Sequence, residues 1–351
     1  MAEGTSPPVL VERRPAFLGL ALNRPEVINT INLKMVRLLR LALDEALAAA
    51  DLRLVVLTAA GDRGFCAGGD LKALARAVQA GNLAESGRFF EEEYALDLML
   101  HQFPKAVVVL ADGICMGGGL GLAAGADFII ATEHTRMAMP ETRIGFFPDV
   151  GATGWLFDRC PPGYPEFLAL TGYELQGPEC VRVGLATHLV PSTRLPELRA
   201  RLAVGASGLS PKKEEALRQL KEMIQPLAAA PPPPQPEMDA WVAEHFADKR
   251  TMAEIMASLN QCRVGRKFCG DVFERLHERS PTALAVTLRL LRANQGRPLP
   301  EVFAREARAA RFMVAHPDYL EGIRARILDK DNKPRWRPAT LTEVEARDWD
   351  L

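Results

Sequence analysis

Short apolar runs alternate with amphipathic stretches through the first two hundred residues, the pattern of an α/β protein. Residues 17–22 read as a strand, stopped by Asn23-Arg24-Pro25. Leu- and β-branched runs at 54–58 and 107–110 suit strands buried on both faces, and 128–131 is a further candidate. Asn32 stands where a helix N-cap belongs, because Met35, Val36, Leu39, Leu43 and Leu47 recur at helical spacing after it. A second helical pattern covers 89–99.

Past about residue 200 the strand signal stops. A charged helical stretch at 209–224 leads into 228–236, which carries consecutive prolines at 231–234. Such a run cannot enter a helix or a central strand, which predicts a stiff polyproline II spacer or an exposed loop. Helical patterns then follow at 238–246, 252–259, 266–277, 282–292 and 301–314. The expected organisation is an α/β core with the active site over 1–205, a helix and proline-rich linker over 206–237, and an α-helical C-terminal region over 238–351.

Composition narrows the function classes. The 351 residues include 43 basic and 44 acidic side chains, for a formal net charge of -1. No global field draws the chain to nucleic acid or to an anionic membrane. Cysteines at 66, 115, 160, 180, 262 and 269 show no CxxC pairing, so reduced thiols are expected rather than zinc ligands or a disulfide framework. No N-terminal apolar segment resembles a signal peptide, and no stretch approaches the ~20 apolar residues of a membrane span. A soluble, cytoplasmic protein is expected.

Candidate chemistry concentrates in two glycine-rich turns, each placed just after a predicted strand. Gly61 to Asp70 reads GDRGFCAGGD, and Gly113 to Gly121 reads GICMGGGLG and opens an apolar helix. Glycines leave main-chain N–H groups accessible, and two converging donors can hold an oxygen that gains negative charge during reaction. Close helix–strand packing would also account for the glycines. Gly119-x-Gly121-x-x-Ala124 meets a loose dinucleotide-binding pattern, but it lies far into the chain, and Glu141 follows Pro140 instead of ending a strand. No Gly-Lys-Ser/Thr follows the glycines, and no G-x-S-x-G nucleophile elbow occurs. If the reaction is acyl transfer, a carboxylate must act as base or nucleophile, and Glu141 and Asp149 are at hand.

Together, FCAGGDLK at 65–72 and GICMGGGLGLAAGADFIIATEHTRMAMPE at 113–141 resemble the crotonase (enoyl-CoA hydratase/isomerase) superfamily, whose members stabilise thioester-derived oxyanions on coenzyme A substrates. The resemblance implies an α/β fold, a crotonase-like ββα superhelix with an α-helical C-terminal part. It implies an oxyanion hole from the main-chain N–H groups of Ala67 and Gly118, with Gly68, Gly69, Asp70 and Gly117 binding substrate in the same two turns. A hydratase of that family uses two glutamates. The first would fall at Gly121, where no carboxylate stands, and the second falls at Glu141.

One acid lost and Asp149 gained, in FFPDVG, implies changed chemistry. MPETRIGFFPDVGATGWLFDR and the C-terminal YLEGIRARILDKDNKPRWRP resemble the branch that hydrolyses thioesters of short branched hydroxyacyl-CoA, as in valine breakdown. Glu141 would then attack the carbonyl or activate water. Asp149 would bind the substrate hydroxyl or assist the leaving thiolate, and Glu93, in FFEEEYALD, would bind the polar acyl end. Lys72, Arg324, Lys330, Lys333 and Arg335 are candidates for the phosphates of coenzyme A. No metal and no cofactor beyond the substrate's own coenzyme A are expected, and the assembly would be a trimer, a hexamer or a monomer. Three rivals remain: a hydratase or isomerase of the same fold, a non-catalytic acyl-CoA-binding protein and, most remote, a nicotinamide-dependent oxidoreductase that failure to bind NAD would exclude.

Overall fold

The computed structural model describes residues 6–262 and 265–345, so the outermost residues of the expected partition, 1–5 and 346–351, lie outside it. The chain forms two compact units, one from residues up to 69, 95–137 and 175–233, the other from 70–94, 138–174 and 234 onward. The sequential division at 205 and 237 therefore does not hold. Residues 138–174 pack with the C-terminal helices, while the Lys213–Ile224 helix belongs with the sheet.

The first unit is built on β1 (Val9–Arg14), β2 (Phe17–Leu22), β3 (Leu54–Ala59), β4 (Gly64–Cys66), β5 (Ala106–Ala111), β6 (Ile114–Met116), β7 (Phe128–Ala131), β8 (Arg136–Ala138), β9 (Leu175–Gln176) and β10 (His188–Leu189). The larger sheet runs β1-β2-β3-β5-β7-β10, and the smaller runs β4-β6-β8-β9. Only β1 is antiparallel in the larger sheet. The repeat is a strand in the larger sheet followed by one in the smaller: β3 then β4, β5 then β6, β7 then β8. This is the ββα superhelix that the resemblance implies.

Every residue of β5 is buried, as its uninterrupted apolar run requires. Phe17, Leu54, Val56, Val108 and Ile130 meet Leu198, Leu202, Leu220 and Ile224 from the Leu195–Gly205 and Lys213–Ile224 helices. Each such side chain contributes about 1.5–3 kcal/mol on burial. Asn32 caps the Leu33–Ala48 helix, accepting from the Met35 N–H at 3.0 Å.

The described part of the second unit is largely helical. Its Pro281–Asn294 helix is capped by Ser280, whose Oγ accepts from the Ala283 N–H at 3.0 Å. Phe167 gathers Tyr164, Trp241, Phe246 and Phe268 around it, and a buried Glu166 accepts from Arg292 at 2.5 Å. The prolines at 231–234 form an irregular, mostly exposed segment, as predicted. The expectation of reduced thiols fails at one place: a disulfide joins Cys262 to Cys269, while Cys66, Cys115, Cys160 and Cys180 are free. Seven residues apart, with the start of the Arg266–His277 helix between them, these two cysteines carry no CxxC-type signature that sequence could offer. Among the described residues, no helix is long and apolar enough to cross a membrane.

Candidate active site

In the first unit the two glycine turns meet. A Cβ added at Gly68, whose φ is +100°, would stand 3.3 Å from the Met116 carbonyl oxygen and 3.6 Å from the Gly118 nitrogen. One added at Gly119 would stand 2.5 Å from the Cys66 carbonyl oxygen, closer than any side chain tolerates. The glycines thus let two main chains approach, which reconciles the packing and donor readings of the sequence. Gly117 caps the Gly118–Ala124 helix with φ +52°, and the first helical bond runs from the Gly121 N–H to the Gly117 oxygen at 3.0 Å. The Gly118 N–H precedes that bond and has no main-chain acceptor among the described residues, as the first amide of a helix should not.

Ala67 is different. Its N–H donates to the Ile28 carbonyl at 3.0 Å, so the proton assigned to the oxyanion hole is already engaged. The Gly68 N–H points to Cys66 Sγ at 3.4 Å. Gly69 pairs with Ile31 through a parallel bridge in which the Ile31 N–H donates to the Gly68 oxygen at 2.8 Å. Of the three amides from Ala67 to Gly69, that of Gly69 has no acceptor among the described residues. Asp70, expected to bind substrate, caps the Leu71–Gln79 helix, its Oδ1 accepting from the Ala73 N–H at 3.2 Å.

In the second unit the expected acids come together. Glu141 opens a 3-10 turn, Glu141–Ile144, directly after Pro140, and is only 8% exposed. Its Oε2 is buried and has no hydrogen-bond partner among the described residues. A buried carboxylate oxygen left this way is costly and is ready to accept from a reacting group. Burial, and then the charge of Asp149, hold the Glu141 carboxyl well above the ordinary carboxylate range. Asp149 accepts from the Tyr94 hydroxyl at 2.7 Å. Its own burial pushes it up to about 7 against the downward pull of that bond. Two interacting carboxyls of this kind titrate as a pair rather than as independent groups.

Of the acids at 91–93, Glu93 alone is fully buried, at 2% exposure, whereas Glu91 is exposed. Its charge is felt by Tyr94 and Tyr319. A wall of rings flanks the group: Phe90 stacks on Phe146 at 5.2 Å, Phe146 on Phe147 at 4.7 Å, and Tyr319 lies 5.5 Å from Phe146.

C-terminal helices set the shape of the acid turns. Gly145, at φ +71°, lies so close to the main chain of Asp318 that a Cβ would fall 2.2 Å from its oxygen. Thr142 Oγ1 donates to the Leu170 oxygen at 3.0 Å. After Asp149 come Val150 at φ +53° and Gly151 at φ +80°. A left-handed β-branched residue costs of order 1–3 kcal/mol and persists only when its surroundings enforce it. Here the Trp155 Nε1–H donates to the Val150 oxygen at 3.0 Å, and Glu306 accepts from the Gly151 N–H at 2.6 Å and the Thr153 N–H at 3.1 Å.

Sequence reading missed Tyr94, Glu306 and Tyr319. Glu306 did carry a signal, since it interrupts the apolar stripe of Val302, Phe303, Ala309, Ala310 and Met313. Arg324, a candidate for phosphate contact, is engaged instead with Glu321, Asp329 and Asp331.

A ββα superhelix with paired glycine turns and a turn-borne glutamate defines a class. The profile of the enoyl-CoA hydratase/isomerase family matches residues 18–351, and the chain belongs to that family. Within it, the chain is 36% identical to the mitochondrial 3-hydroxyisobutyryl-CoA hydrolase of Gallus gallus, over 96% of this chain and 86% of that protein. It is 35% identical to the human protein of the same name, over 97% and 86%. Among solved structures, a carnitinyl-CoA dehydratase from Mycobacterium thermoresistibile superposes with a TM-score of 0.86 at 34% identity, covering 97% of this chain and 94% of that one. An enoyl-CoA hydratase from Rhodobacter sphaeroides gives 0.84 at 33%, covering 96% and 94%.

Proposed function

We propose that this chain hydrolyses acyl-CoA thioesters, with 3-hydroxyisobutyryl-CoA as its substrate. The observation that carries the reading is the buried pair Glu141 and Asp149, both held above the ordinary carboxylate range. The hydrolase names borne by the curated relatives support it. In this reading the Gly118 amide and the Gly69 amide, which takes over from Ala67, stabilise the oxyanion formed at the thioester carbonyl. Glu141 supplies the attack. Either its carboxylate adds to the carbonyl, expels the thiolate and leaves an anhydride that water cleaves, or it takes a proton from the water that adds. Asp149, poised near neutrality, delivers a proton to the departing thiolate, and Glu93 helps hold the hydroxylated acyl end. The products are the hydroxy acid and free coenzyme A.

The two solved structures named as dehydratase and hydratase favour a second reading, water addition to an enoyl-CoA. Gly121 weighs against it, because the position of the first hydratase glutamate carries no side chain. A thiol-release screen across short acyl-CoAs decides. Release should be fastest with 3-hydroxyisobutyryl-CoA and weak or absent hydration should be seen with crotonyl-CoA; the reverse ranking overturns the hydrolase reading. Glu141→Gln should lower turnover by about 10² or more while affinity for acyl-CoA stays within about tenfold. Unchanged turnover removes Glu141 from the chemistry.

A further inference from the structure

The segment that carries Asp149 is shaped by a residue far along the chain. Glu306 is wholly buried on the Leu299–Ala315 helix, and its two oxygens take three donors from the turn that follows Asp149. Oε2 accepts from the Gly151 N–H at 2.6 Å, and Oε1 accepts from the Thr153 N–H at 3.1 Å and the Thr153 hydroxyl at 2.5 Å. The arrangement is backed by a further layer. Asn294 Nδ2 donates to Thr153 Oγ1 at 2.7 Å, and Arg305 Nη1 donates to Asn294 Oδ1 at 2.5 Å. What this grip enforces is the left-handed pair Val150 and Gly151, and Val150 is the immediate neighbour of Asp149.

We propose that Glu306 is a positioning residue for Asp149, fixing by these hydrogen bonds the strained turn that aims the Asp149 carboxyl. A carboxyl group suits the task because both of its oxygens take donors from the turn, where an amide has one acceptor oxygen and would set its own N–H₂ against a donor. Glu306 touches no reacting atom in this account; its effect passes through Asp149. The kinetic part of the test rests on the hydrolase reading, the spectroscopic part does not.

A double-mutant cycle on thiol release tests the kinetic part. Glu306→Gln should lower kcat by about tenfold or more with KM within about threefold, and the same change in an Asp149→Asn background should cost less than about threefold. A general loosening of the fold would instead cost the same factor in both backgrounds, and that result overturns the proposal. If the protein releases no thiol at all, the hydrolase reading fails separately, and titration of the Asp149 carboxyl by ¹³C NMR still decides. Freed from its enforced burial, that carboxyl should fall from about 7 toward the ordinary carboxylate range in Glu306→Gln. An unmoved titration overturns the proposal. Should Glu306→Gln not fold, Thr153→Val removes one donor while keeping the Glu306 carboxylate, and both measurements apply to it with the same expected directions.

Discussion

Glu141 and Asp149 derive their chemistry from desolvation more than from each other. Burial is the leading cause of the upward displacement of both, and the charge of Asp149 adds to it only at Glu141. The proposed base, Glu141, must be ionised to act, so turnover should fail on the acid side as pH drops through a value well above the usual carboxylate range. Asp149→Asn removes a neighbouring negative charge, which makes ionisation of Glu141 easier. The acid limb of kcat/KM should then move to lower pH, while the maximum rate falls. A limb that stays in place in a pH–rate profile would mean that the two acids do not sense each other. The Tyr94 hydroxyl acts in the opposite sense by stabilising ionised Asp149 at 2.7 Å.

Two elements carry the proposed oxyanion donors, and both depend on glycine for close approach. Gly119 admits the Cys66 carbonyl where a Cβ would collide at 2.5 Å. Gly119→Ala should force the turns apart and lower kcat by about 10²–10³, the scale of losing one oxyanion donor. Gly87→Ala is the control, since a Cβ there meets nothing within 4 Å. It lies in a helix, so it should raise stability by about 0.5–1 kcal/mol and leave kcat unchanged. Turnover of Gly119→Ala equal to that of wild type would show that the contact of the two turns is dispensable. At this scale the sequence was partly legible. The β3, β5 and β7 runs announced themselves through Leu- and β-branched residues, and Asn32 announced the helix it caps. Strands of two or three residues, such as β9 and β10, are too short to show any period, and β1 buries little beyond Val9.

For the whole molecule, buried acids impose a pH dependence on stability. Glu306 is pushed up to about 8 by burial, against the pull of its Thr153 and Gly151 donors, and Asp149 to about 7. In an unfolded chain both would titrate near 4. Between those values the native state binds more protons than the unfolded state, so stability falls as pH rises. The contribution is fully present at about pH 4 and is lost on passing about pH 8, while exposed pairs such as Arg194 with Glu197 add little. The urea midpoint should therefore be higher at about pH 5 than at about pH 8, with a shallower slope in Glu306→Gln. A midpoint that rises steadily across this window would mean that these carboxyls are ionised at little cost in the folded protein.

Local sequence pattern determined the longer strands, the main helices, the Asn32-capped start and the irregular proline segment, because each depends on residues a few positions apart. Residue chemistry likewise offered candidate donors at the two glycine turns and candidate acids at Glu141 and Asp149 before any coordinates. Tertiary structure alone decided which amides are free, since the Ala67 proton is claimed by Ile28, in a segment well before it in the chain. It alone decided that residues 138–174 fold with the C-terminal helices, that Cys262 and Cys269 join, and that Glu306 grips the turn beyond Asp149. The reason is physical: hydrogen-bond partners and burial are supplied by groups distant in the chain, and no pattern of neighbouring residues encodes who they will be.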